Sequence, residues 1–204
     1  MAAQRGKFIT LEGVDGAGKS THIDYLADRI RSRGVELVVT REPGGTPLGE
    51  KLRALLLSDP MQPDTELMLM YAARAEHVAA LIRPALARGA WVLSDRFADA
   101  SYAYQCGGRG IDAGRLQALE AWTLAGFGPD LTLLFDVAPE VAASRRAQAR
   151  SADRFEQEQA AFFVRVREAY LQRARAEPGR IRVIDAGRSI EAIRRELDCI
   201  MEAL

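Results

Sequence analysis

Short apolar runs of strand length alternate along the chain with longer stretches in which apolar residues recur every three or four positions. Phe8-Ile9-Thr10-Leu11 is one such run, ending at Gly13; Val35 to Thr40, Trp91 to Ser94, Leu131 to Phe135 and Ile181 to Ile184 are the others. Continuous rather than alternating apolar character predicts that the runs at Phe8, Trp91 and Leu131 are buried strands. Between them, Ile23, Leu26, Ala27 and Ile30 mark one face of a helix closed by Gly34. Leu48 to Leu57 returns to helical spacing after the breakers Pro43, Gly44, Gly45 and Pro47. A long helical stretch is expected from Asp64 to Arg88, kinked at Pro84. Phe155, Phe162, Phe163, Val166 and Tyr170 fit one helix face, and Ile190, Ile193, Leu197, Ile200 and Leu204 fit another. Five strands separated by helices imply right-handed crossovers and a mainly parallel sheet covered on both sides. The expectation is a single α/β domain over residues 1–204.

Composition narrows the class. A chain of 204 residues buries enough surface to fold without disulfides or metal. Lys+Arg and Asp+Glu both number 28, so no net field draws the chain to a long polyanion, and nucleic acid is not an expected partner. The apolar runs are too short to cross a membrane, and MAAQRGKFIT lacks the apolar core of a signal peptide. Cys106 and Cys199 have neither CxxC nor Cys/His spacing, which predicts reduced thiols in a cytoplasmic setting.

The chemistry first shows in GVDGAGKS, residues Gly13, Val14, Asp15, Gly16, Ala17, Gly18, Lys19 and Ser20, with Thr21 following. It fits G-x-x-x-x-G-K-[ST] at every fixed position, between a strand and an amphipathic helix. Glycines let backbone N–H groups turn inward around phosphate oxygens, and the helix N-terminus adds partial positive charge. Lys19 is placed for the β- and γ-phosphates of ATP and the Ser20 hydroxyl for Mg²⁺. The 28 basic residues include only three lysines, Lys7, Lys19 and Lys51, so a chance lysine here is improbable. This predicts a P-loop NTPase fold. No N-K-x-D motif is present, which speaks against a GTPase, and the length suits a small-molecule kinase. Asp95 ends an apolar strand, as a carboxylate holding Mg²⁺ through water should.

The other unusual segments sit where strands end, the expected place for ligands in an open parallel sheet. They read TREPGGT (40–46), YAAR (71–74), SDRF (94–97), YQCGGRG (104–110) and DRFEQE (153–158). Together with VDGAGKST they closely resemble the bacterial thymidylate kinases (dTMP kinases), from about Gly6 to the C-terminal helix. The resemblance implies transfer of the γ-phosphoryl of ATP to dTMP in dTTP biosynthesis, with Mg²⁺ as cofactor, and a homodimer packed through helices. It places Asp15 by the deoxyribose 3′-hydroxyl and Glu42-Pro43 over the acceptor nucleotide, the peptide bond being cis or trans. Arg53 and Arg96 match arginines that hold the monophosphate, for which a planar fork of donors is suited. Arg74 matches the arginine that reads the pyrimidine edge. Its usual aromatic partner four residues earlier is replaced by Met70, so either Met70 packs on the base or Tyr71 turns toward it. Ser101, Tyr104 and Gln105 are expected over the sugar and base, with Tyr104 crowding a ribose 2′ position. Cys106 stands where the family usually has glycine.

Arg145, Arg146, Arg150 and Arg154 follow the fourth strand, where the family carries a small mobile lid, here about 145–157. The phosphate loop has no arginine, so the sequence resembles the subgroup that supplies catalytic charge from the lid. Arg150 is the first candidate, with Arg146 and Arg154 as alternatives, and Glu156 matches the lid glutamate. The acceptor is a phosphate monoester, largely ionised at neutral pH, so in-line transfer needs no general base. Two rivals stand beside this reading. A nucleoside kinase would use Glu42 as base, and a non-catalytic nucleotide-binding protein would bind ATP without turnover.

Overall fold

A computed structural model describes residues 5–147, 154–156 and 158–204, with backbone only at 146 and 147. Its centre is the run FITLE, which forms β1 (Phe8–Glu12) with all five residues buried. β2 (Leu37–Arg41), β3 (Trp91–Asp95), β4 (Leu131–Asp136) and β5 (Ile181–Asp185) complete a five-stranded sheet in the order β2-β3-β1-β4-β5. Every neighbouring pair is parallel, with Thr10 beside both Ser94 and Thr132. The five-stranded parallel α/β architecture read from the apolar runs is the one observed.

Each strand runs one residue past its apolar stretch, to Glu12, Arg41, Asp95, Asp136 or Asp185. These residues keep the ladder's backbone pairing, while their polar side chains gather at the C-terminal edge of the sheet. The side chains of β1 alternate between two cores. Phe8 packs with Val92, Ile82 and Leu86 on one face, and Ile9 and Leu11 pack with Leu26, Ile30 and Leu133 on the other. This is why helices cover both sides.

α1 (Lys19–Arg31) leaves the glycine loop, and α2 (Pro47–Ser58) starts at Thr46, whose side chain accepts a hydrogen bond from Gly49 N at 3.0 Å. The long stretch expected at 64–88 is not one kinked α-helix. It comprises α3 (Pro63–His77), a π-helical turn over Val78–Ile82, and α4 (Arg83–Ala87). Pro84 has no N–H for the carbonyl of residue 80 and its ring needs room there, which the wider turn provides. α5 (Ala98–Ser101) runs into a second π-helical turn, Tyr102–Gly108, followed by α6 (Ala113–Leu124) and α7 (Pro139–Ala147). α8 (Ala160–Ala176) packs against the second π turn, and α9 (Ile190–Glu202) against α1 and β5. Phe155, assigned from its spacing to the face of α8, lies instead in a turn before that helix begins. Among the described residues no helix is long and apolar enough to cross a membrane.

Candidate active site

The loop after β1 is built from backbone. Gly13, Gly16 and Gly18 all take positive φ. A Cβ on Gly13 would stand 2.4 Å from the carbonyl oxygen of Phe135, so only glycine fits. Val14 and Ala17 are buried and anchor the loop to the core. Lys19 opens α1 and folds back, its Nζ donating to Gly13 O at 3.0 Å and Val14 O at 3.4 Å. Burial and the Arg96 charge push the Lys19 ammonium below its ordinary pKa, opposed by Asp95, Asp15 and Glu12 nearby. Ser20 and Thr21 are exposed at the start of α1. Asp95, at the end of β3, keeps Oδ1 buried without a hydrogen-bond partner.

Beside the loop, at the same edge of the sheet, a cavity opens between the ends of β2 and β3 and the helices after them. Asp15, Glu42, Pro43, Arg53, Met70 and Arg74 line one part of its wall, and Arg96, Ser101, Tyr104 and Gln105 another. Asp15 therefore belongs to both the loop and the cavity. The Glu42-Pro43 bond, left open by the sequence, is cis, and Arg53 Nη1 donates to Pro43 O at 2.9 Å.

Arg74 lies across the floor of the cavity. Its Nε donates to Glu42 Oε2 at 2.7 Å, Nη1 to Ser101 Oγ at 3.1 Å and Nη2 to Phe97 O at 3.0 Å. Met70 and Tyr71 are placed differently. Met70 is on the wall, whereas Tyr71 is buried beneath Arg74, its ring centre 4.5 Å from the guanidinium carbon.

The Arg96 guanidinium is held by three side chains. Nη2 donates to Asp15 Oδ1 at 2.7 Å and to the Tyr104 hydroxyl at 3.0 Å, and Nη1 to the Tyr170 hydroxyl at 2.9 Å. Tyr104 donates to Asp15 Oδ2 at 2.8 Å, and Tyr170 to Glu12 Oε2 at 2.7 Å. The Arg96 backbone is left-handed, with φ 74°, a conformation rare outside glycine. Ser94 Oγ braces it by donating to Arg96 O at 2.8 Å. Burial works against the Asp15 charge, but Arg96 and Lys19 outweigh it and hold the carboxyl well below the usual carboxylate range. Glu12 goes the other way. Burial, reinforced by Asp99, pushes its carboxyl up to about 8 against the help of Arg96.

Several of these partners were not anticipated. Glu12 and Tyr170 looked like the end of a strand and part of a helical core stripe. Glu66, on α3, is fully buried, accepting from Gln105 Nε2 at 2.9 Å and pairing with Arg154 at 2.8 Å and Arg109 at 3.3 Å. Arg154 is thus held by α2 and α3, with Nε on Leu56 O at 3.0 Å and its guanidinium over the Phe155 ring. Phe155 joins the cavity wall and meets Tyr104 edge-on. Glu156, half-buried in the same turn, does not line the cavity. Arg150 and the Arg146 side chain lie outside the described residues. Arg145 is described and reaches toward the loop. Both its terminal nitrogens donate to Ala186 O at 3.2 Å, and Nη1 is 3.6 Å from where a Gly18 Cβ would be. Cys106 sits half-buried beside the cluster of Leu67, Tyr71, Ile111 and Leu116, and burial pushes its thiol up, which keeps it protonated and unreactive.

A phosphate loop at the end of the central strand, joined through one shared carboxylate to an arginine-lined cavity, defines the class as a P-loop kinase of small phosphorylated acceptors. Comparison with known proteins narrows this. Residues 11–197 match the family model described as thymidylate kinase. The thymidylate kinase of Thiobacillus denitrificans is 65% identical over 199 residues, 98% of each chain. That of Burkholderia cenocepacia strain J2315 is 57% identical over 203 residues, 98% of each chain. The crystal structure of the Ehrlichia chaffeensis thymidylate kinase superposes with a TM-score of 0.79 at 33% identity, over 97% of this chain and 99% of that one. The chain belongs to the thymidylate kinase family.

Proposed function

We propose that this chain transfers the γ-phosphoryl of ATP to dTMP, giving ADP and dTDP in dTTP biosynthesis. The observation that carries this is the junction at Asp15 and Arg96. One side chain of the phosphate loop and one arginine at the end of β3 join the donor site to a cavity floored by Arg74. In this reading Lys19 leaves the Gly13 and Val14 carbonyls for the β- and γ-phosphates of ATP. Arg96 and Arg53 hold the acceptor phosphate, and Asp15 takes the 3′-hydroxyl. Arg74 reads the pyrimidine, Met70 packs against it, and Ser101 and Gln105 complete the base site. Tyr104, fixed on Asp15, crowds the 2′ position and favours deoxyribose. Of the lid candidates, Arg150 remains the proposed catalytic arginine, and Arg146 the alternative. Arg154 and Glu156 act as the stem of a lid spanning about 145–157 within a single domain. With an ionised monoester as acceptor, transfer is positioning plus charge stabilisation.

Kinases of this kind use a divalent metal, and the residues here fit Mg²⁺. The unpartnered Asp95 Oδ1 and the exposed Ser20 hydroxyl supply the hard oxygen ligands it prefers. Bound there, Mg²⁺ would neutralise charge on the β- and γ-phosphates. The thymidine-kinase alternative loses its base. Both oxygens of Glu42 are engaged, one by Arg74 and one by His77, and the residue is buried. A homodimer in the cytoplasm completes the proposal. Leu48 and Leu55 on α2, Met68 on α3 and Trp122 on α6 are large apolar side chains exposed on three helices packed side by side.

The test is ADP release with MgATP against dTMP, dUMP, CMP, thymidine and buffer. Turnover concentrated on dTMP supports the proposal. Preference for thymidine, or ATP binding without turnover on any acceptor, overturns it.

A further inference from the structure

His77 closes α3 and is completely buried, and it does not itself line the cavity. Its Nδ1 lies 2.9 Å from Glu42 Oε1 and its Nε2 lies 2.7 Å from Thr40 Oγ1. Glu42 gives its other oxygen to Arg74 Nε, and Thr40 is held in β2 opposite Ser94 of β3. The four side chains form a line, Thr40–His77–Glu42–Arg74, from the sheet to the cavity floor. Gly45 covers its outer end. Its φ is +79°, and a Cβ there would stand 2.5 Å from both His77 Nε2 and Thr40 Oγ1, so the loop seals that hydrogen bond from water.

We infer that His77 is a positioning residue for base recognition, whose Nδ1–H locks Glu42 and thereby fixes the guanidinium plane of Arg74. A carboxylate can only accept, so Nδ1 carries a proton. Nε2 faces the Thr40 hydroxyl, which can donate or accept, so both ring nitrogens are satisfied within the line. Arg74 alone leaves Glu42 free to turn about its own carboxylate axis. The bond from His77 removes that freedom, so the orientation of the arginine is inherited from the strand rather than from a flexible loop. The inference rests on the reading of Arg74 as the group that faces the pyrimidine.

The experiment compares His77→Leu, His77→Asn, Thr40→Val and Arg74→Gln, each checked for a cooperative thermal transition. The readouts are kcat and KM for dTMP and the ratio of kcat/KM for dTMP over dCMP, which differ at position 4 as acceptor and donor. His77→Leu should raise KM for dTMP about tenfold or more, with kcat within about threefold, and lower the dTMP/dCMP ratio about tenfold. His77→Asn keeps a donor near Nδ1 and should restore most of the ratio. Thr40→Val, which spares His77, should move the ratio in the same direction by less, and it stands in if His77→Leu does not fold. The chain has two histidines, so ¹⁵N spectra of the imidazoles resolve His77, and its Nδ1–H should persist in Thr40→Val, where Glu42 still accepts, while the Nε2 resonance shifts on losing the Thr40 hydroxyl. Arg74→Gln separates the two readings. If it leaves the ratio unchanged, base reading by Arg74 fails. If it collapses the ratio while folded His77→Leu and Thr40→Val leave it intact, the role of His77 fails and that of Arg74 stands. An imidazole without a proton on Nδ1 in the parent protein also overturns the inference.

Discussion

The donor loop and the acceptor cavity lie side by side at one edge of the sheet, but they are made in different ways. The loop is backbone: three glycines at positive φ, two buried apolar anchors and the start of α1 set its shape. The cavity is side chain: Arg74, buried, and Arg96, half-buried, are each fixed by carboxylates and hydroxyls drawn from distant elements. Arg96 alone gathers Asp15, Tyr104 and Tyr170, from the loop, the second π turn and α8. A backbone site carries its geometry in a short local sequence. A side-chain site depends on the whole fold bringing its partners together, so single substitutions there should disturb both binding and stability.

That contrast can be broken in order of effect. Lys19→Ala removes the one cation of the loop without disturbing its glycines. It should lower kcat about 10³-fold or more while thermal stability holds or rises slightly, since a buried ammonium is removed. Steady-state kinetics and a thermal melt check both halves. Arg96→Gln should lower kcat/KM for dTMP about 10²-fold and also destabilise the fold by about 2–4 kcal/mol, because the Asp15 carboxylate loses its partner. A fall in activity with unchanged stability would erase the distinction between the two regions.

Glu12 sharpens it further. Its folded pKa of about 8 lies above the ordinary 4.5, so the folded chain binds more protons between those values. Its contribution to stability is full below pH 4.5 and is lost as pH rises through 8. Glu12→Gln should flatten the fall in denaturation free energy over that window and make the variant the more stable form above pH 8, read by urea titrations at several pH values. The smallest effect is expected at Met70. Met70→Leu preserves apolar volume on the wall and should change KM for dTMP by less than about threefold.

The same contrast explains what could be read from the chain. The strands, their parallel pairing and the phosphate loop were legible because each depends on a local pattern, a continuous apolar run or a fixed glycine spacing; the order of the strands in the sheet was not. Many cavity residues were legible too, but only through resemblance. Composition could not distinguish Arg74 and Arg96 from the many other arginines. Glu12, Glu66, His77 and Tyr170 were not legible at all. Each carries a polar group that matters only after burial opposite a partner dozens of residues away, and nothing local marks it. Phe155 was misplaced for a related reason: its spacing matched a helix that begins five residues later, and its contacts are with Tyr104 and Arg154 instead.

The strand order has a consequence for how the chain emerges from a ribosome. β1 pairs with β3 and β4, and β2 pairs only with β3, so Phe8 waits for Val92, more than eighty residues later, before the first rung of the sheet can form. Nearly half of the polypeptide is therefore synthesised with this fully buried strand unpaired, exposed to chaperones or to other nascent chains. The glycine loop, among the first parts translated, can acquire its shape only after β3 and β4 have closed around it. Premature termination before residue 91 should thus yield fragments with no sheet and no nucleotide affinity, however complete their loop motif.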